Sequence, residues 1–268
     1  MTCGPRASAT TVPSVSESGS ELIDVFSDVA DEIAAALVAH THRGPSGLRP
    51  DQYSFDVVTD EVAVPMLTAA GLGVLSEESG LHHGDRDIIV ALDPVDGSTN
   101  ASHGIPWFAT SIAAVDGDGL VAALVANLAT GQRFSAVRGE GAMLDGETIT
   151  SSTVTDIGDA IIAVNGLPSE HLGWRQYRSL GACALDLCAV ACGSLDGLLD
   201  ATPGELAPWD YLGGLLICRE AGAAVADGDG NELIVLDHDA RRALVAAGTD
   251  ELFDELLAGR DRLDSSNA

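Results

Sequence analysis

One short stretch, Asp93-Pro94-Val95-Asp96-Gly97-Ser98-Thr99-Asn100, follows directly on the apolar run 88–92. The run is brief and rich in β-branched residues, which is typical of a buried strand. Asp93 and Asp96 therefore leave a sheet together, across a bend that Pro94 stiffens. These two carboxylates can share one hard divalent cation or bridge two, with the Val95 carbonyl as a further oxygen ligand. The stretch predicts a metal site at the end of a strand.

The same loop offers backbone N–H groups beside the carboxylates. Gly97 can adopt backbone angles that other residues rarely take, and Ser98 is well suited to cap a helical turn. The N–H groups of Gly97, Ser98 and Thr99 would then face an anion next to the cation. An EF-hand is excluded, because no D-x-D-x-D-G series with a glutamate at its twelfth position occurs. Contiguous metal and phosphate sites are therefore predicted.

Two further stretches extend this pattern along the chain. Residues 74–80 read V-L-S-E-E-S-G, and residues 209–223 read W-D-Y-L-G-G-L-L-I-C-R-E-A-G-A. Together the three motifs resemble the inositol monophosphatase family of magnesium-dependent, lithium-sensitive phosphatases. The family patterns are G-E-E-S, D-P-[IV]-D-G-[ST]-x-N and W-D-x-A-[AG]-x-x-L-x-x-E-A-G-G. The resemblance runs in order from about Asp60 to the C-terminal region, with Ser76 and Ala223 in place of family glycines.

The resemblance implies a fold and its division. We expect the alternating α/β/α/β/α layers of the sugar-phosphatase superfamily, a layered α+β and α/β sandwich. Residues 1–17 are rich in Ser, Thr, Ala and Pro, and we expect them to form a disordered tail. Residues 18–268 should form one unit, with subdomains at roughly 18–155 and 156–262.

The resemblance also implies a cofactor, which is two or three Mg²⁺ ions. Glu77, Asp93 and the Val95 carbonyl would hold the first ion, whereas Asp93, Asp96 and Asp210 would hold the second. In the family a water on the first metal attacks phosphorus, and no covalent phosphoenzyme forms. Asp210 also has a simpler interpretation, because an aspartate at a helix N-terminus is a common cap.

The proton of the attacking water is expected to pass toward Ser98, oriented by Asp60, with Glu77 close by. Relatives place an aspartate at the start of the helix that leads to the G-E-E strand. Counting the register from Asp56 instead would put that position on Val62, which binds nothing. Asp60 is favoured because Thr59-Asp60 opens an apolar-periodic segment, as a helix start should.

Substrate contacts are implied by a later segment. Gly181, Ala182 and Cys183 occupy the place where small residues let a polyol ring approach the backbone in relatives. Asp200 matches a position where inositol-processing relatives carry an acid that accepts hydroxyl hydrogen bonds, and Glu205 competes for that role.

Inositol monophosphate, or a related small polyol or sugar phosphate, is the expected substrate, and fructose 1,6-bisphosphate and histidinol phosphate are the alternatives. A phosphoadenosine phosphate substrate is disfavoured. Phosphoadenosine phosphatases of this superfamily commonly carry D-G-T-K-[ED], whereas residues 96–100 of this chain read D-G-S-T-N. A weakly active metal- or phosphate-binding regulatory protein is a further alternative. It is suggested by the missing lysine that relatives carry before the first motif.

Charge limits the partners. The 268 residues carry 41 acidic and 13 basic side chains for a formal charge of −28, so nucleic acid and anionic membranes should be repelled. All the basic residues counted are arginines. No apolar run reaches the about 18 residues of a membrane-spanning helix, and the five cysteines show no C-x-x-C pair. We expect a cytoplasmic homodimer without nucleic-acid or membrane partners.

Overall fold

A computed structural model describes residues 15–50, 52–202 and 204–266. Of the expected disordered tail, residues 1–14 lie outside the described residues, and residues 15–17 belong to the first helix. The elements in chain order are α1 (Val15–Ala39), α2 (Ser54–Ala69), β1 (Gly73–Ser76), β2 (Gly80–His82), β3 (Ile89–Asp96), α3 (Ser98–His103), β4 (Ala109–Asp116), β5 (Gly119–Asn127), β6 (Arg133–Val137), β7 (Gly141–Leu144), β8 (Glu147–Ile149), β9 (Ile161–Asn165), β10 (Gln176–Arg178), α4 (Cys183–Ala191), β11 (Gly197–Asp200), α5 (Pro208–Glu220), β12 (Ala224–Asp227), β13 (Leu244–Ala247) and α6 (Asp250–Ser266).

The first sheet has eight strands in the order β2-β1-β3-β4-β5-β6-β7-β8. Only β1 and β3 pair in parallel, with Ser76 opposite Leu92, and the other neighbours are antiparallel. The predicted strand 88–92 is therefore the start of the longer strand β3, which is buried because it lies between β1 and β4. The acidic stretch forms the end of this strand.

The second sheet has five strands in the order β10-β9-β11-β13-β12. Its strands β10, β9 and β11 run parallel, and β13 pairs antiparallel with both β11 and β12. The first sheet ends at residue 149 and the second begins at residue 161. The chain thus completes one sheet before it starts the other.

Helices separate and cover the sheets. Helices α1 and α2 pack on one face of the first sheet, where Phe26 and Ile33 meet Val90. Helices α4 and α5 lie between the two sheets, and Leu185 and Leu212 belong to the largest apolar cluster. Helix α6 covers the far face of the second sheet. The predicted α/β/α/β/α order is confirmed, since each sheet buries both faces against helices.

Candidate active site

The parallel pairing of β1 with β3 brings two acidic motifs together. Because Ser76 lies opposite Leu92, the next residues along the two chains, Glu77 and Asp93, lie side by side. The N–H of Glu77 donates to the Leu92 carbonyl at 3.1 Å. Glu77 follows β1 directly and Asp93 lies in the last half of β3, so the two neighbouring parallel strands bring two carboxylates together.

The turn after Asp96 is rigid for steric reasons. Gly97 has a φ of 83°, a left-handed conformation that costs other residues energy. A Cβ at Gly97 would lie 3.0 Å from both the Ala182 Cβ and the Trp107 carbonyl oxygen. The hydroxyl of Thr110 donates to the Pro94 carbonyl at 2.9 Å and ties the loop to β4. A glycine is needed at position 97 because both the backbone angle and the space require it.

Helix α5 supplies a third carboxylate. One oxygen each from Glu77, Asp93 and Asp210 lies within 4.8 Å of the others. Asp210 also accepts the N–H of Ala207 at 2.7 Å through Oδ2, which caps the helix. The two interpretations of Asp210 are thus compatible, because a carboxylate has two oxygens and can cap a helix while facing a cation.

The other two predicted ligands, Asp96 and the Val95 carbonyl, belong to residues that line the same cavity as the three clustered carboxylates. Each has a further hydrogen-bond partner. Asp96 Oδ2 accepts the N–H of Ala184 at 2.8 Å. The Val95 carbonyl oxygen lies 2.7 Å from the Ser98 hydroxyl. This cavity is the larger of two that adjoin the carboxylates, with a volume of about 510 Å³. Its lining residues are Arg49, Pro50, Gln52, Asp56, Glu77, Glu78, Asp93, Val95, Asp96, Gly97, Ser98, Thr99, Gly181, Trp209, Asp210, His238 and Arg241.

Burial and mutual repulsion raise the pKa values of the clustered acids. Desolvation, then repulsion from Asp210, raises the pKa of Glu77 to about 8. Desolvation and the charge of Glu77 raise the pKa of Asp93 well above its usual value. The pKa of Asp210 rises to about 7, mainly through desolvation. A divalent cation would favour the ionised carboxylates, and this all-oxygen set fits Mg²⁺.

The carboxylate beside Ser98 is Asp56, and the prediction of Asp60 for this contact is wrong. The Ser98 hydroxyl donates to Asp56 Oδ1 at 2.8 Å. The other oxygen of Asp56 accepts the N–H of Tyr53 at 2.8 Å, so Asp56 caps α2. Desolvation raises the pKa of Asp56 to about 7. A carboxylate and a hydroxyl therefore stand together in the larger cavity.

Asp60 lies one helical turn further along α2 and accepts the hydroxyl of Ser76. The expectation failed because α2 begins at Ser54 rather than at Thr59. One turn displaces a side chain by about 5 Å along the helix axis. Asp60 therefore lies away from Ser98 and contacts Ser76, the last residue of β1. Asp60 is absent from the lining of both described cavities that adjoin the carboxylate cluster.

A basic residue that the motifs did not indicate adjoins the cluster. Arg49 Nη1 donates to the Glu77 carbonyl at 3.2 Å, and Nη2 pairs with the Glu78 carboxylate. Gln52 also donates to Glu78. Arg49 thus places a positive charge beside Glu77 and Glu78.

A smaller cavity of about 270 Å³ adjoins the larger one, and Asp96, Gly181 and Asp210 line both. The three predicted substrate contacts at 181–183 all line it. Its lining residues are Asp96, Val164, Asn165, Gly181, Ala182, Cys183, Asp186, Leu198, Glu205, Leu206 and Asp210. Asn100 Nδ2 holds the wall in place by donating to the Leu180 carbonyl at 2.7 Å.

Asp186 was not predicted, although a lone acid in the otherwise apolar segment 183–191 was a usable signal. Its Oδ1 accepts the indole N–H of Trp107 at 2.8 Å. Desolvation raises the pKa of Asp186 to about 7. Asp186 therefore gives the smaller cavity a further hydrogen-bonding carboxyl group.

Asp200 does not line the smaller cavity, where the other three predicted substrate contacts lie. Its side chain is fully buried and is absent from the lining of the smaller cavity. It accepts the side-chain N–H of Asn165 at 3.2 Å and the backbone N–H of Thr202 at 2.9 Å. Glu205, the competing residue, lines the cavity instead. Asp200 ends β11 opposite Asn165 of β9, and its position within the sheet leaves its side chain buried.

Comparison with known proteins gives the same class of fold. A Pyrococcus horikoshii structure, described as having similarities to inositol-1 monophosphatase, superposes with a TM-score of 0.79 at 27% identity and covers 92% of this chain and 99% of its own. The fructose-1,6-bisphosphatase/inositol-1-monophosphatase of Methanocaldococcus jannaschii is 28% identical over 87% of this chain and 97% of its own. The Nus factor SuhB of Escherichia coli is 33% identical over 71% and 74%.

The fold and the acidic cavity thus define a layered sugar-phosphatase architecture with a candidate site for a divalent cation. The Inositol monophosphatase family model matches residues 67–263. The chain belongs to the inositol monophosphatase family. The resemblance that the three motifs indicated is confirmed.

Proposed function

We propose that the chain is a Mg²⁺-dependent phosphomonoesterase acting on small phosphorylated polyols or sugars. The observation that carries this proposal is the group of Glu77, Asp93 and Asp210, whose oxygens lie within 4.8 Å of one another beside a polar cavity. Membership of the inositol monophosphatase family supports the same reaction class. Asp96 and the Val95 carbonyl would complete the ligand set around two or three ions.

Bound Mg²⁺ would neutralise phosphate charge and lower the pKa of a coordinated water, which a loose phosphoryl transfer requires. The chain itself supplies the proton acceptor. The Ser98 hydroxyl can take the proton of the attacking water while passing its own to Asp56 Oδ1. Because the pKa of Asp56 is raised to about 7, this carboxylate is a suitable general base near neutral pH.

Gly97, Ser98 and Thr99 line the larger cavity, and their backbone N–H groups are the anion-binding groups that the sequence predicts. We infer that they bind the phosphate oxygens, since the cations beside them offset the acidity of the surroundings. Arg49 adds a fixed positive charge to this wall. Local cations are needed because the chain as a whole carries a formal charge of −28.

The leaving group would occupy the smaller cavity. Asn165, Asp186 and Glu205 offer oxygen acceptors, which suit the hydroxyl groups of a polyol. Gly181 and Ala182 leave room for a ring at the backbone. Inositol monophosphate fits this chemistry, and fructose 1,6-bisphosphate is included because a relative is named for both activities.

A role limited to binding, like that suggested by the name of the Nus factor relative, is less well supported. Nucleic acid binding requires neutralisation of phosphates by basic side chains, and this chain has only 13 against 41 acids. The complete acidic cluster also favours catalysis. Homodimer formation, a cytoplasmic location and lithium inhibition stay predictions.

The test is phosphate release in Mg²⁺ from inositol 1-phosphate, fructose 1,6-bisphosphate, histidinol phosphate and phosphoadenosine phosphate. The Glu77→Gln variant, which we expect to be strongly impaired, serves as the reference for background release. We expect wild-type release from at least one of the first three substrates, with loss on chelation and inhibition by Li⁺. Release no faster than that of Glu77→Gln from every substrate would overturn the proposed function.

A further inference from the structure

Two basic side chains on the connection between β12 and β13 line the larger cavity. The Arg241 guanidinium carbon lies 5.8 Å from the centroid of the Trp209 ring. The His238 ring centroid lies 4.8 Å from the same indole. Trp209 directly precedes Asp210, so both basic groups stand beside one of the clustered carboxylates. The proposed reaction at that cluster gives neither residue a role.

Arg241 is free to contact a ligand. Its Nη1 donates to the carbonyls of His238 at 2.8 Å and Ala240 at 2.7 Å, and this fixes one edge of the guanidinium. Within the described part of the chain, Nε and Nη2 donate to no protein atom, and the side chain is exposed. Arg49 differs, because both of its terminal amino groups already contact the segment 77–78.

Arg241 lines the larger cavity, and the segment that carries it packs against a segment that lines the smaller one. A Cβ on Gly204 would be 3.9 Å from Arg241 Cβ, and the next residue, Glu205, lines the smaller cavity. Leu206 and Arg242 exchange backbone hydrogen bonds of 3.2 and 2.8 Å, which ties the two segments together. A substrate seated in the smaller cavity could therefore present a distal group to Arg241.

Charge favours an anion at Arg241 and opposes one deeper in. The lining of the smaller cavity contains Asp96, Asp186, Glu205 and Asp210, and none of its described residues is basic. These carboxylates would repel a second phosphate of the substrate from the smaller cavity, whereas they could accept hydrogen bonds from the hydroxyl groups of the sugar. A guanidinium binds phosphate through parallel N–H donors, and a histidine ring N–H can donate in either protonation state.

We propose that Arg241, assisted by His238, binds the second phosphate of a bisphosphorylated sugar whose first phosphate lies at the carboxylate cluster. The hydrolysis itself rests on the proposed function above. What is added is a specificity-determining pair that favours a substrate with two phosphates over the same sugar with one.

The test compares fructose 1,6-bisphosphate with fructose 1-phosphate, which differ only in the distal phosphate. For Arg241→Gln we expect KM for the bisphosphate to rise about 10- to 100-fold, the effect of losing hydrogen bonds to a charged group. KM for the monophosphate should change less than about twofold, and His238→Gln should have a smaller effect in the same direction. Arg242→Gln is the matched control, because that side chain donates to the Glu232 and Arg241 carbonyls and does not line the cavity.

An equal change in KM for both substrates, or no change for either, would overturn this assignment, as would an equal effect of Arg242→Gln. If the wild-type protein hydrolyses neither fructose phosphate, calorimetric binding of both sugars in Mg²⁺ decides the subsite, and the four-substrate panel decides the proposed function separately. The assignment is supported if the wild-type protein binds the bisphosphate more tightly than the monophosphate and the Arg241→Gln variant loses this difference. Equal binding of the two sugars by the wild-type protein rejects it.

Discussion

Ser98 and Asp56 meet at 2.8 Å, hydroxyl to carboxylate oxygen, although 42 positions separate them in the chain. The contact joins the first residue of α3 to the first turn of α2. It depends on where α2 begins, because the carboxylate four residues later, Asp60, contacts Ser76 instead. The proton acceptor proposed for catalysis is thus determined by the start of a helix.

Replacing Asp56 by Asn should lower kcat by about 10²- to 10⁴-fold, the usual contribution of general-base assistance. The fold should survive, because the side-chain oxygen of Asn can still accept the N–H of Tyr53 that Asp56 accepts at the start of α2. Asp60→Asn is the matched control on the same helix and should retain most of kcat. Steady-state kinetics with thermal melts would show both effects. Equal losses in the two variants would contradict the assignment.

Glu77→Gln should raise the Mg²⁺ concentration that gives half-maximal activity by more than about 10- to 100-fold. Loss of a residue that only hydrogen-bonds to a metal ligand already has an effect of about that size. The adjacent Glu78 pairs with Arg49 and Gln52 and lies outside the three-carboxylate group. Glu78→Gln should therefore leave the Mg²⁺ requirement nearly unchanged. The measurement is the Mg²⁺ concentration giving half-maximal activity, and a similar shift in both variants would argue against Glu77 as a ligand.

Without metal, the protein should lose stability as pH rises from about 4 to about 8. The folded-state pKa values of Glu77, Asp56 and Asp210 are raised to about 8, 7 and 7, from 4.5, 3.8 and 3.8. Between these limits the folded chain keeps protons that the unfolded chain has released. The free energy of unfolding is therefore greatest at the acidic end and declines through the folded pKa values.

Thermal melts in a chelator across about pH 5 to 8 would measure this slope. Excess Mg²⁺ should flatten it, because a bound cation stabilises the ionised carboxylates. Asp210→Asn should reduce it, since one raised pKa is removed. A melting temperature that rises with pH in the chelator would contradict the prediction.

Gly97→Ala should destabilise the fold more than Gly104→Ala. Both glycines have positive φ, 83° and 71°, so both substitutions carry a strain of about 1–2 kcal/mol. Only at Gly97 would the new Cβ meet neighbours, at 3.0 Å, because nothing lies within 4 Å at Gly104. Overpacking should add about 1–3 kcal/mol. Denaturant unfolding of the two variants checks the difference, and equal losses would show that the contacts relax.

Much of the site could be predicted from the sequence because its acids lie next to strand segments in the chain. An apolar run of β-branched residues predicted the first part of β3, and Asp93 and Asp96, which follow that run, form the end of the same strand. Glu77 was predictable for the same reason, since β1 delivers it next to Asp93. The layered fold was implied by the family resemblance that the three motifs carry.

Only the tertiary structure placed Asp56 and Arg49 at the site, and only it showed that Glu205 rather than Asp200 lines the smaller cavity. The sequence determined that acids and a hydroxyl would gather at one edge of a sheet, because strand ends and glycine turns are local properties. It could not determine which of Asp56 and Asp60 meets Ser98, because one helical turn moves a side chain by about 5 Å and the start of α2 depends on packing. The burial of Asp200 and the placement of Arg241 in the larger cavity likewise exist only once distant segments pack, since burial is a property of the folded chain.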